Sequence, residues 1–222
     1  MYKNADLFRE PFVYPTRNAF GAEKSLNISD YSANKYKLRK DTAMRSLSLS
    51  TTQTLRWSQP NPFKCYHELV GGNEAFVVLQ QSGIFTTRHA IEAGDQRWTI
   101  ETVDFWQNLV IVSNGWTGEE VARFKKKYCG DVDLWFKDGR HFTWTGPWWS
   151  YNRLWIDGEG HPLLHVENCG KDMGIVPAAF TLPELPLLCG LGRYLSVLQQ
   201  SMTMMAIIIS VFATTTSANH HM

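Results

Sequence analysis

The strongest constraint on this chain is a run of short segments rich in Val, Ile, Thr, Phe, Tyr and Trp from about Leu55 to Glu167. Gly, Asp, Asn and Pro break the run at intervals of about 8 to 12 residues, the spacing of strands joined by turns. Candidate strands are EAFVVLQQ, IFTTRHAI, QRWTIETV, NLVIVSN, EEVARFKKKY, VDLWFKD, RHFTWTG, YNRLWID and HPLLHVE. Their linkers carry SG, AGD, NGWTG, CGD, DG and DGEG, residue types that reverse a chain at little steric cost. No helix-forming segment separates them, so a parallel sheet of βαβ units is excluded and an antiparallel meander that closes on itself is expected. Lys137-Asp138-Gly139-Arg140 predicts a hairpin with a type I′ turn, and Asp157-Gly158-Glu159-Gly160 marks a second turn. Leu134 and Phe136 share one strand face and Trp135 takes the other, so aromatic residues on both faces leave the inner one undecided.

The most apolar stretch, Leu182 to Phe212, follows these strands. Roughly 20 apolar residues are needed to cross a bilayer, and the stretch is long enough. Its first half, however, carries Glu184, Arg193, Gln199 and Gln200, and a charge near the middle of a span costs a few kcal/mol. On a helical wheel Leu187, Leu188, Leu191, Tyr194, Leu195 and Leu198 occupy an arc of about 120°, with Arg193, Ser196 and Gln200 opposite. Pro183 and Pro186 suit the first turn of a helix. Gly190 and Gly192 would let that helix pass close to neighbouring strands. The second half, MTMMAIIISVF, is apolar all round but too short to span alone. Three readings follow: a helix buried in a barrel too wide for its own side chains, a membrane anchor, or a partner-binding helix.

The chain has 222 residues, 44% of them hydrophobic, which is enough for one sizeable domain with tails. Lys and Arg number 22 against 21 Asp and Glu, so the broad basic field of a nucleic-acid binder is absent. Cys65, Cys129, Cys169 and Cys189 form no CxxC pair, which speaks for reduced thiols rather than a disulfide framework or zinc ribbon. MYKNADLFREPF lacks the charged, apolar and small-residue regions of a secretory signal, so a cytoplasmic protein, with membrane association open, is expected. Residues 1–54, rich in Ser, Thr, Asn, Lys and Arg, read as a poorly ordered leader. Lys35, Lys37, Arg39, Lys40 and Arg45 give that leader an alternative use as a tail for an anionic surface. The domain is expected over 55–213, with its helix at about 184–213 and a short tail from 214 to 222.

VARFKKKYCGDVDLWFKDGRHFTWTG, YNRLWIDGEGHPLLHVE and the closing ELPLLCGLGRYLSVLQ together resemble the tubby C-terminal-like superfamily, in particular bacterial proteins related to the plant LURP-one proteins and the phospholipid scramblases. The resemblance covers roughly Trp57 to Phe212. It implies a mainly β fold, a closed antiparallel barrel of about twelve strands with a hydrophobic C-terminal helix through its centre. It also implies a non-enzymatic binding or scaffold module. The terminal signature of tubby proteins and the acylated cysteine cluster of scramblases have no counterpart here, so phosphoinositide binding, lipid scrambling and a calcium site are not carried over.

Catalytic signatures are missing. His67-Glu68 begins like HExxH, but Gly71 stands where the second zinc ligand belongs. Gly190-Leu191-Gly192 lies inside an apolar helix and follows no strand, so it reads as helix packing rather than a phosphate loop. GxSxG and GxxxxGK[ST] do not occur. Asp131, Asp133, Asp138, Asp157 and Glu159 fall in or near turns, where short acidic residues make local hydrogen bonds. No metal site and no cofactor is expected. His141 and His165 are the acid–base pair of an alternative reading, an enzyme using the barrel mouth, to which His161 could add. The sharpest polar feature is basic: Arg123, Lys125 and Lys127 share one strand face while Phe124 turns inward. Such a stripe suits anionic phospholipid head groups, at about 1 kcal/mol per cation, and Trp148 and Trp149 would add interfacial anchors. A solvated strand face with Lys127 opposite Asp133 is the plain alternative.

Overall fold

The computed structural model describes residues 55–61, 65–81, 88–104, 109–125, 131–147 and 150–218. The leader and the Trp148-Trp149 pair lie outside the described residues. Twelve strands follow in chain order: β1 (Leu55–Ser58), β2 (Tyr66–Gly71), β3 (Glu74–Gln81), β4 (Arg88–Ala93), β5 (Gln96–Asp104) and β6 (Leu109–Asn114) come first. Then come β7 (Glu120–Lys125), β8 (Val132–Phe136), β9 (His141–Thr145), β10 (Arg153–Asp157), β11 (Pro162–Glu167) and β12 (Asp172–Ile175). Each pairs antiparallel with its sequence neighbours, and β1 meets β12 with Leu55 opposite Met173, so the sheet closes into a barrel with no free edge. Segments marked in the sequence account for β3 to β11. The other three escape it because β1 and β12 have only four residues each, and YHELVG in β2 breaks apolar alternation with His67 and Glu68.

Alternation along the strands shows which face is inside. Val132, Leu134 and Phe136 of β8 and Phe142 and Trp144 of β9 are buried, whereas Trp135 lies outside, stacked on His141 at 4.6 Å. The β8–β9 turn differs from the expected type I′. Only Gly139 has a positive φ, at 90°, and its N–H donates to the Phe136 carbonyl at 3.1 Å. Asp138 keeps a negative φ because its carboxylate holds the loop instead, accepting from the Arg140 backbone N–H at 3.1 Å and from the Arg140 guanidinium.

A twelve-stranded barrel is wider than the eight-stranded kind that side chains alone can fill. Here the bore holds helix α1 (Leu185–Ala218), which follows a 3-10 turn at Pro177–Thr181. Pro186 sits in its first turn, where a missing N–H leaves nothing unsatisfied. Leu187, Leu188, Leu191, Tyr194 and Leu195 are buried, and Leu198 is half-buried against the core. Burying Leu185, Leu187, Leu188, Leu191 and Leu195 contributes on the order of 10 kcal/mol, as much as the whole net stability of a typical domain. Gly190 is fitted against Ile91 of β4, and Gly192 against Trp144 of β9 and Trp155 of β10. Tyr194 meets the rings of His89 (4.9 Å) and Phe124 (6.5 Å), from β4 and β7. Contacts with strands on several sides place the helix within the barrel.

That encirclement corrects the expected polar side of the helix. Arg193 and Ser196 are buried, not turned to solvent. Ser196 satisfies its hydroxyl by donating to the Gly192 carbonyl one turn back, at 2.8 Å. Arg193 requires partners from the barrel wall.

Candidate functional site

Antiparallel order fixes two rims. The β8–β9 turn lies at the first, where Arg140 binds Asp138 and reaches Glu184, just before α1, at 2.6 Å. Running β9 away, β10 back and β11 away again brings the β11–β12 turn, Asn168 to Lys171, to the second rim. The helix therefore starts at the first rim and leaves at the second.

Inside the second rim is a buried polar cluster. Asn168, Cys169 and Gly170 all adopt positive φ, at 50°, 59° and 78°, which only glycine does freely. Arg193 Nη1 donates to the carbonyl oxygens of Gly170 at 3.0 Å and Cys169 at 3.4 Å. Its Nη2 lies 3.3 Å from His67 Nδ1, which must accept, so His67 is neutral and carries its proton on Nε2. Burial, then the Arg193 charge and then His89, push the His67 pKa down from 6.5 to about 4. Burial also lowers the pKa of Arg193. Gln200 adds a second tie, donating to the Cys169 carbonyl. None of this was legible in the sequence: Arg193 lies 126 positions from His67, and no motif joins them.

Past this cluster α1 leaves the barrel. Ser201, Thr203 and Met204 are exposed, Met204 at 61%. The helical backbone continues to Ala218 through the sequence Met205-Ala206-Ile207-Ile208-Ile209-Ser210-Val211-Phe212. Among the described residues, no helix is long and apolar enough to cross a membrane.

On the outer wall, β7 ends at the same rim. Phe124 points inward; Arg123 and Lys125 face out, Lys125 exposed. Arg123 is held by the Glu120 carboxylate through Nε (2.7 Å) and Nη2 (3.0 Å), which offsets most of its charge. Lys127 lies outside the described residues, so the expected Lys127–Asp133 pair does too. Asp133 accepts from the Thr143 hydroxyl at 3.1 Å. Lys171 in the β11–β12 turn adds an exposed cation to this rim.

The histidines do not converge on a barrel mouth. His141 lies on the outer wall against Trp135 and close to Gly158, and His165 lies on the outer wall over Gly174, with β10 between their strands. His161 is exposed in the β10–β11 turn, 3.3 Å from Asp157. Strand alternation accounts for this, since Phe142, Leu164 and Val166 beside these rings take the inward positions. Asp157 serves its turn, accepting from the backbone N–H groups of Glu159 (2.9 Å) and His161 (2.8 Å). Among the described residues no group of His, Cys, Asp and Glu could hold a metal ion.

No protein-family model, curated protein or solved structure matches the chain.

Proposed function

We propose that this chain is a non-enzymatic module that binds the surface of an anionic membrane with its second rim. The observation that carries the reading is the course of α1: it fills the barrel, emerges exposed at Met204, and continues as helix through a run that is apolar except for Ser210. Lys125 and Lys171 are exposed at the same rim, and an apolar helix beside cations matches the acyl boundary and head groups of an anionic bilayer. Docking along the surface, rather than spanning, accords with the length and apolarity of the described helix. The tubby-like resemblance is kept as part of this proposal, supported by the twelve strands around a threaded helix.

Co-sedimentation with phosphatidylcholine vesicles, with and without phosphatidylserine, tests it. Binding should require the anionic lipid and fall about five-fold in Lys125→Ala, the loss of one interfacial cation. The Ile207→Ser/Ile208→Ser/Ile209→Ser variant should lose binding while its barrel still unfolds cooperatively. Equal partitioning of wild type onto neutral and anionic vesicles would sink the proposal. Resistance to extraction by alkaline carbonate would instead establish a tail anchor.

A further inference from the structure

Trp116 is the most exposed large hydrophobic side chain among the described residues, at 67%. It stands in the β6–β7 turn, which antiparallel order puts at the first rim, between the β4–β5 and β8–β9 turns and at the far end of the barrel from the exit of α1. The turn itself does not need an indole. Asn114 builds it, accepting through Oδ1 from the backbone N–H groups of Trp116 at 2.8 Å and Thr117 at 3.1 Å, while its carbonyl accepts from Gly118 at 2.9 Å. Any residue but proline at position 116 would supply that N–H.

Single exposed apolar side chains are common and need no function. Trp116 differs in being fixed. Its Nε1–H donates to the Asp95 carbonyl at 3.2 Å, and the Arg97 guanidinium lies over one face, 5.6 Å from the ring centroid. The polar handle is tied and one face is covered, which leaves the other face open. An indole held in this way meets a partner with little further loss of rotamer freedom, as an interface anchor does.

Charge selects the partner. Arg97 gives its charge to Glu92 at 3.3 Å, and Asp95, beside the indole, has no ion pair among the described residues. On the other flank Glu119 meets Lys137 at 3.6 Å, and Arg140 is shared between Asp138 and Glu184. Further round the rim, the ion-pair partner of Asp157 and Glu159 among the described residues is His161 alone. The turns at this rim therefore carry more carboxylates than cations, and the open ring face is itself electron-rich.

We infer that the first rim docks a protein segment rich in arginine and lysine, with one cationic side chain seated on the open face of Trp116 and its neighbours facing Asp95 and Glu119. Arg97 does not oppose that cation, because Glu92 neutralises it. The site lies at the end of the barrel away from the vesicle-docking rim, so it holds or fails without regard to that reading.

The experiment follows the Trp116 indole N–H by NMR in the full-length, nitrogen-15-labelled protein, with the signal assigned by its loss in Trp116→Phe. A hexa-arginine peptide and a hexaglutamate peptide are titrated at low and high salt, and phosphatidylserine vesicles are titrated in parallel. The expected result is a saturable shift with hexa-arginine that weakens as salt rises, and none with hexaglutamate. Affinity for hexa-arginine should fall about five-fold in Trp116→Ala, the loss of one cation–π contact. No movement with hexa-arginine, an equal response to hexaglutamate, or equal affinity in Trp116→Ala overturns the inference. A shift with vesicles and none with the peptide overturns it too, and makes this rim a membrane face. If Trp116→Ala does not fold, the wild-type signal decides alone.

Discussion

Gly190→Ala turns the position of the central helix into a signed energy. In a solvated helix this change stabilises by about 1 kcal/mol, because alanine loses less backbone entropy than glycine. Here a Cβ at residue 190 would stand 2.6, 2.7 and 2.8 Å from Cδ1, Cγ2 and Cγ1 of Ile91. Each distance falls about 1 Å short of ordinary carbon–carbon contact. Ile91 is fully buried and β-branched, so it has little room and few rotamers with which to yield. Overpacking of this kind costs about 1 to 3 kcal/mol, which outweighs the gain in propensity. We expect a net loss of about 1 to 2 kcal/mol in urea unfolding followed by tryptophan fluorescence. The midpoint temperature should fall by about 2 to 8 °C for a domain of this size. Ile91→Ala removes all three clashing atoms and should by itself cost about 2 to 5 kcal/mol through its cavity. Combined, the two changes should cost at least 1 kcal/mol less than their sum, since the new methyl occupies part of the vacated space. If Gly190→Ala raised stability and added independently to Ile91→Ala, the helix would not pass β4 and the filled-barrel account would be wrong.

Acid should loosen the second rim. His67 has a folded pKa of about 4 against 6.5 in the unfolded chain, so unfolded molecules take up the proton first. Stability is then full above pH 6.5 and declines as the pH falls toward 4, by on the order of 2 kcal/mol; His67→Gln should flatten that part of a pH series of urea midpoints. Thiol labelling should separate the cysteines by position. Burial drives the Cys189 thiol well above its usual pKa, whereas Cys65 and Cys169 are exposed. Iodoacetamide followed by peptide mass spectrometry should modify those two in the native protein and Cys189 only with global unfolding. Native labelling of Cys189 would show that the helix leaves the barrel readily.

How much could be read beforehand follows from the range of each interaction. Strands β3 to β11 were legible because alternation and turn residues are local signals, whereas the buried helix was one of three readings of the apolar stretch, suggested by too many strands for a side-chain core. The inner face of WFKDGRHFTW was not, because aromatics occupy both sides and only the closed barrel decides between them. Arg193 was misjudged for a related reason. A wheel assumes one buried side, and a helix surrounded by strands has none to spare for water. The basic stripe was recognisable as residue types, yet its charge was not: Glu120, three positions before Arg123, neutralises the first cation. The Arg193–His67 cluster joins β2, the β11–β12 turn and α1, and pairings across such separations leave no periodic trace.

The place of α1 in the chain also determines when the protein can fold. Every described strand precedes the helix, so during synthesis the hairpins emerge and zip one after another while their apolar inner wall, from Trp57 to Trp155, has nothing to cover it. Closure is equally late, because β1 must wait for β12 before the ring exists. Ring closure and helix docking thus both wait for the segment from β12 onward, and a ribosome paused before Leu185 holds a curled sheet with its apolar face uncovered. Slow, non-local folding of this kind leaves the apolar wall open to aggregation until the central helix has been made and docked.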